Sequence, residues 1–262
     1  MDLEKLQLIK NDVLKKEIPN HLYSEEFAGI YLHSNTPFKL EDHQAPIHSF
    51  RLFSKYRYPL YLFISLDAIT PDVEKLIKLY SPITVVSIVR LKDIIAFNNF
   101  CINNLLYLIH PKHEKLLTFQ SDGFLIKEGW EEKCHGYSWI GAVWRDSIQV
   151  VENTFNYPAV KGFNGGFNFR RKSKCLKVNE LVQKYGGQQK IVKGLQINEN
   201  PPRQQTGSFL AEDLYFSYFG FGAGISEDVS VSHANSFAKE PITWLEYNEN
   251  PKNYCGFHRI DV

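Results

Sequence analysis

Three nearly unbroken apolar runs of strand length, separated by stretches of helical periodicity, constrain this chain more than any other feature. Leu60-Tyr-Leu-Phe-Ile-Ser-Leu66, Ile83-Thr-Val-Val-Ser-Ile-Val89 and Leu116-Leu-Thr-Phe119 have the composition of strands buried on both faces. Between the first two, Thr70-Pro71-Asp72 opens a helix, with Thr70 as cap and Pro71 at the first helical position; Ser81-Pro82 ends it. A second helix is expected from about Leu91 to Leu108, and a third from Lys174 to Tyr185. Strand, helix, strand, helix, strand with short connections is the pattern of a parallel sheet with right-handed crossovers. The expected fold is therefore α/β: a single Rossmann-like domain with a mostly parallel central sheet and helices on both faces. Ligands of such sheets gather at the carboxyl ends of the strands.

The organised signal starts at Pro59. Residues 1–58 hold a short amphipathic helix (Leu3 to Leu14) and a polar stretch with His and Pro, and are expected as an N-terminal extension of unassigned role before a domain spanning 59–262. Gly186 to Gly207 is rich in Gly, Pro, Gln and Asn and reads as a mobile loop. A formal net charge of +1 argues against nucleic acid as the main partner. Cys101, Cys134, Cys175 and Cys255 lie far apart without C-x-x-C spacing, which points to a reducing cytoplasm rather than a disulfide or zinc framework. No apolar run is long enough to span a membrane, and the first residues do not open a signal peptide. Peripheral attachment at the inner face of a membrane stays open.

Several constellations carry chemistry. Gln120-Ser121-Asp122 follows the third strand, where a carboxylate can hold a divalent cation against phosphates; the plainer reading is a turn cap. In Asn164-Gly165-Gly166 two glycines let a sugar or phosphate approach the backbone, and the same residues read equally as a hairpin turn. Glu212-Asp213 precede an apolar run. They are either the acidic first turn of a helix or a general base on a rigid element. His258, near the carboxyl end, would suit Mn²⁺ or Zn²⁺ better than Mg²⁺ as a ligand, or is an exposed side chain. Trp139 and Trp144 suggest an aromatic platform for an acceptor. His110 and His113 have metal-like spacing but read as surface, and Arg170-Arg-Lys-Ser-Lys174 reads as a solvated basic run, or one resting on phosphates.

The order of these segments resembles that of an uncharacterised, glycosyltransferase-like family. That family carries a strand ending in Gln-(Thr/Ser)-Asp, then Ile-Gly-Ala-Pro-Trp, Asn-Gly-Gly-Phe, Glu-Asp and a final Gly-Phe-His. Here they stand as Phe119-Gln-Ser-Asp122, Ile140-Gly-Ala-Val-Trp144, Asn164-Gly-Gly-Phe167, Glu212-Asp213 and Gly256-Phe-His258. The family in turn is similar to the GT-A class of glycosyltransferases. The resemblance implies a nucleotide-sugar donor, with a UDP-linked hexose as the expected form, and a divalent cation (Mn²⁺ or Mg²⁺) held by Asp122 and His258. It implies donor contacts from Asn98, Gln120, Ser121, Asp122, Asn164, Gly165 and Gly166. It makes Asp213 the base of an inverting displacement and leaves Glu212 to bind an acceptor hydroxyl beside Trp139 and Trp144. Residues 59–122 would then be the nucleotide-binding half and 123–262 the acceptor half. Gln120 stands where GT-A enzymes carry the first Asp of Asp-x-Asp, and Val143 where Pro is usual. The implied acceptor is a glycan or glycolipid, as in bacterial-type surface polysaccharide synthesis. Two other classes share some of these residues: a metal-dependent hydrolase of a sugar nucleotide or sugar phosphate, and a non-catalytic carbohydrate-binding protein.

Overall fold

The computed structural model describes residues 26–33, 36–80, 82–121, 123–125, 129–143, 148–153, 159–160, 163–197, 203–205, 210–227, 229–239 and 255–258. Among them the chain runs through β1 (Phe27–His33), α1 (Gln44–Lys55), β2 (Leu60–Ser65), α2 (Pro71–Leu79), β3 (Ile83–Ile88), α3 (Ile94–Asn103), β4 (Lys115–Phe119) and β5 (Gly123–Leu125). It continues through α4 (Trp130–Lys133), β6 (Trp139–Val143), β7 (Ile148–Asn153), β8 (Ala159–Val160), β9 (Phe163–Arg171), α5 (Lys172–Lys184), α6 (Gln188–Ile191), β10 (Val192–Ile197) and β11 (Arg203–Gln205). The last elements are α7 (Glu212–Gly222), α8 (Val231–Phe237), β12 (Ala238–Lys239) and β13 (Gly256–His258). The central sheet has six strands in the order β3-β2-β1-β4-β9-β6. Its first four strands are parallel, whereas β9 runs antiparallel to both β4 and β6. The expected α/β class with a mostly parallel sheet is the observed one.

The strand order explains where a ligand would go. From β1 the chain steps outward to β2 and β3, then returns through α3 to β4 on the other side of β1. Right-handed crossovers therefore place α1 and α2 on one face and α3 on the other. The reversal falls between β1 and β4, whose carboxyl ends Tyr31 and Phe119 are register partners. This is the topological switch point at which open α/β sheets bind ligands.

Residues 27–58 are not an extension. β1 lies between β2 and β4, its first six residues are buried, and Phe50, Phe53, Tyr56 and Tyr58 join the same core. Residues 1–25, with the amphipathic stretch Leu3 to Leu14, lie outside the described residues. β2 is buried along its whole length as expected, but β3 is a sheet edge and only Ile88 in it is fully buried. The helix expected over 91–108 stops at Asn103 and is followed by a 3-10 turn at Leu105–Leu108. Ile94 and Ile95, at its start, face outward. Gly186–Gly207 is not one loop: β10 and β11 lie in it, and β10 pairs with β11 and β7 in a four-stranded antiparallel sheet of order β11-β10-β7-β8. Residues 198–202 and 206–209 of it are outside the described residues.

The Thr-Pro helix start appears as read. Thr70 Oγ1 accepts from the Asp72 N–H at 3.3 Å and donates to the Phe38 carbonyl at 2.5 Å, while Asp72 accepts from the Leu40 N–H at 3.1 Å. The cap thus also fixes the connection that follows β1. Thr70→Ala should lower the unfolding free energy by about 1 kcal/mol, the usual cost of a lost cap. Urea titration checks this: the midpoint should fall while the slope stays constant. An unchanged midpoint would show that the cap carries no stability.

Candidate active site

Strand β9 gathers the segments that the sequence scatters. Asn164, Gly165 and Gly166 lie inside it rather than in a hairpin turn. A side chain at Gly165 would meet Glu212 Oε2 at 2.7 Å and the Asp213 Cβ at 3.4 Å, so only glycine lets the strand lie against the start of α7. On the other side, Gly123 packs against the Gly166 carbonyl and Gly256 against the Phe167 ring, each too closely to admit a Cβ. Phe119 is the register partner of Phe167. One short strand segment therefore touches the acid pair, the residue after Asp122 and the residue that opens β13.

The acid pair opens α7, as an acidic first turn would. The N-cap residue Ala211 has no side-chain acceptor; Asn98 on α3 supplies one, its Oδ1 accepting from the Glu212 N–H at 2.9 Å. Glu212 is buried, and its carboxylate pairs with the Arg170 guanidinium at 2.5 Å. Arg170 is buried in turn, with its guanidinium 4.6 Å from the centre of the Trp139 ring and 5.7 Å from that of Phe216. Its Nε donates to Asn168 Oδ1 at 3.0 Å, and Asn168 Nδ2 donates to the Gly165 carbonyl at 2.5 Å.

Asp213 is different. The residue is only half-buried, and its carboxylate accepts from the Leu214 N–H at 2.8 Å and the Gly165 N–H at 3.3 Å. Desolvation of the carboxyl group, reinforced by the Glu212 charge, raises its pKa to about 7 against those two hydrogen bonds. Burial and a like charge thus outweigh the helix macrodipole, which by itself favours the ionised form. The outcome is a carboxyl group that exchanges a proton near neutrality.

The carboxyl end of β4 leads into a tight turn in which the Gly123 N–H donates to the Gln120 carbonyl at 3.2 Å. Gln120 is half-buried and Ser121 exposed, while Asp122 lies outside the described residues. β13 pairs antiparallel with β5 and sets His258 opposite Gly123. Backbone pairing thus brings the chain at His258 beside the residue that follows Asp122.

Several assignments move. Glu212, expected to meet an acceptor hydroxyl, is buried and paired with Arg170. Trp139 is 1% exposed and forms core beneath Arg170, not an acceptor platform; Trp144 is outside the described residues. Asn98 is buried with its amide oxygen given to α7, which makes it a support of the acid pair rather than a donor contact. The N–H groups of Gly165 and Gly166 are taken by Asp213 and by Asn164 Oδ1, and Gly165 packs closely on the acid pair. The basic run is no solvated face: Arg170 and Lys172 are buried, and Lys172 Nζ donates to the Ile109 and His110 carbonyls. His113 is likewise buried, sharing a 2.8 Å hydrogen bond with the Tyr61 hydroxyl.

One group at this edge escaped the sequence reading. His33 ends β1, and its ring meets that of His43 edge-on at 4.8 Å. Phe38 stacks on His43 at 4.5 Å, and Tyr31 shares a 2.8 Å hydrogen bond with His43 Nδ1. Burial, then the neighbouring His33, lowers the His43 pKa to about 4 and keeps it neutral. The signal was the apolar run Phe27-Ala-Gly-Ile-Tyr-Leu32, overlooked among polar neighbours.

A family profile described as "Protein of unknown function (DUF5672)" matches residues 82–258, from β3 to the end of β13. The chain belongs to the DUF5672 family. In this member the matched region contains the acid pair, Arg170, the Gln120–Gly123 turn and His258, whereas β1 and β2 precede it. No curated protein matches the chain. Among solved structures it is similar to the mannosyltransferase Ktr4p from S. cerevisiae, at 10% identity over 71% of this chain and 70% of that one, with a TM-score of 0.42. The 4-diphosphocytidyl-2C-methyl-D-erythritol synthase of Anaerococcus prevotii is similar at 11% identity over 74% and 84% of the two chains, with a TM-score of 0.44. For S. aureus TarS 1–349 the values are 12%, 59% and 49%, and 0.38.

The Asp213 proton gives a stability test. An unfolded Asp titrates near ~4, so the folded chain holds this proton more tightly than the unfolded one. The associated stability is complete below about 4 and is lost as pH rises through about 7. Asp213→Asn should remove that loss, so its unfolding free energy should gain on the wild type from about pH 4 to about 7 and then level off. A gap between the two that does not change with pH would rule out the raised pKa.

Proposed function

We propose that this chain is a glycosyltransferase that moves a sugar from a nucleotide-sugar donor to an acceptor hydroxyl by single, inverting displacement. The observation that carries the reading is the convergence on β9. A half-buried carboxyl group titrating near neutrality and the turn that ends β4 are both held by the Gly165–Phe167 segment, at the edge where a parallel sheet binds ligands. The order of motifs, which resembles that of GT-A enzymes, supports the same conclusion.

In this reading the donor lies along the carboxyl edge of the sheet, with its diphosphate over the Gln120–Gly123 turn. Asp213 accepts the proton of the acceptor hydroxyl as that oxygen attacks the anomeric carbon. A base poised near the working pH suits this step, because it is free to take the proton and still basic enough to pull it. Asp122 and His258 would hold the divalent cation. One carboxylate, one imidazole and phosphate oxygens form a donor set that suits Mn²⁺, and the pairing of His258 with Gly123 fits such a pair. When bound, the cation offsets charge on the leaving diphosphate. Gln120 adds a hydrogen-bonding amide without a second charge. A glycan or glycolipid supplies the acceptor hydroxyl.

Two measurements test the proposal. A panel of nucleotide sugars, incubated with Mn²⁺ with and without candidate acceptors, should show turnover that requires an acceptor; turnover to free sugar alone would support hydrolysis instead. On the active pair, Asp213→Asn keeps shape and hydrogen bonding but removes the basicity. Its turnover should fall by roughly 10²-fold or more, with donor affinity almost unchanged. Near-normal turnover in this variant would exclude Asp213 as the base. Asp122→Ala and His258→Ala should each weaken Mn²⁺-dependent donor binding, measured by calorimetry, without changing the fold.

A further inference from the structure

Two carboxyl groups follow one another at the start of α7, and among the described residues only one of them meets a cation. Glu212 lies against Arg170 at 2.5 Å, with side chains 6% and 1% exposed. Adjacent carboxyl groups in a desolvated place do not both ionise freely; one keeps its charge and the other tends to keep a proton. A guanidinium stays charged at any pH the protein meets, so the acid it touches is the one that ionises.

The same guanidinium reaches Asp213 by a second route. Arg170 donates to Asn168, Asn168 donates to the Gly165 carbonyl, and the Gly165 N–H donates to Asp213 Oδ2. Arg170 thus sets the charge of one acid and steadies the peptide that holds the other. The remaining titratable groups here are the thiols of Cys101 on α3 and Cys175 on α5, both kept neutral by burial. Among the described groups, the anion that acts on Asp213 is Glu212.

We propose that Arg170, which touches no substrate, selects Asp213 as the proton acceptor by holding Glu212 as a committed anion and the Gly165 peptide in place. It is a positioning residue, and the proposal rests on the reading of Asp213 as the base. Without the guanidinium, nothing pins the Glu212 carboxylate or steadies the Gly165 peptide, and Asp213, no longer held beside a fixed anion, gives up its proton at lower pH. Arg170→Lys keeps the charge and should keep that midpoint.

The experiment is a ¹³C carboxyl NMR titration of full-length protein labelled at aspartate, with Asp213→Asn identifying the resonance. In the wild type the midpoint should lie near 7. In Arg170→Met and in Glu212→Gln it should fall by about one unit or more, and in Arg170→Lys it should stay near the wild-type value. Arg170→Met strands a buried carboxylate; where it fails to fold, the double variant R170M/E212Q strands no charge, and the same fall is expected of it. A folded variant lacking either charge that keeps the wild-type midpoint overturns the proposal. The titration needs no donor or acceptor, so it decides the charge relationship even where glycosyl transfer fails as the activity. Where transfer is observed, its acid limb should move with the NMR midpoint in each variant. A limb that stays put while the midpoint moves also overturns the proposal.

Discussion

A guanidinium cannot release its proton at any ordinary pH, so a fold that buries one must bury an anion beside it. Arg170 sits at the end of β9 with almost no contact with water, and Glu212 is its anion. Removing one partner of such a pair typically costs about 3–5 kcal/mol, because the other is left charged and dry. The position of α7 follows from this pairing. Glu212 is the first residue of that helix, Asn98 of α3 caps its N–H, and the indole of Trp139 on β6 lies under the guanidinium. Four elements that meet in no local sequence pattern are tied around one charged contact.

The glycines of β9 complete the constraint. With Glu212 fixed, the strand must pass close to the acids, and Gly165 is the residue type that allows it. Gly166 and Phe167 then form the surface on which Gly123 and Gly256 rest. The run Asn-Gly-Gly-Phe thus acts less as a ligand loop than as a spacer between two working parts. The Asp213 carboxyl group lies on one side of it and the Gln120–Gly123 turn on the other. Asp213 gains its near-neutral proton from this arrangement, because it shares a desolvated corner with an anion that cannot leave.

Much of the scaffold was legible because local physics governs it. β2 and β4 are buried on both faces and carry unbroken apolar runs, and α2 begins with a Thr-Pro pair whose cap geometry is local. β1 has the same kind of run but lies between polar, His- and Pro-containing neighbours, and the sheet's central strand was read as an extension. β3 was read as buried although it is an edge, since strand order depends on crossovers that no single run reveals. The site was legible as a set of motifs and less so as a set of roles. Asp213 lies in the first turn of α7, and the Gln120–Gly123 turn follows β4. Arg170 looked like one member of a basic surface run, because its partner lies far away in the chain and nothing local marks a buried arginine. Trp139 and Glu212 carry chemistry that suits a ligand, but both are spent on that same arginine.

The claim at the centre of this account is that β9 holds a base and a donor-binding turn against one cleft. The measurement that reaches it most directly is a diffraction structure of crystals grown with manganese and a non-hydrolysable nucleotide-diphosphate sugar. The account predicts the diphosphate at the Gln120–Gly123 turn, an anomalous manganese peak beside Asp122 and His258, and the anomeric carbon facing the Asp213 carboxyl group. A donor seated elsewhere on the chain, or an Asp213 carboxyl group turned away from the bound sugar, would contradict it.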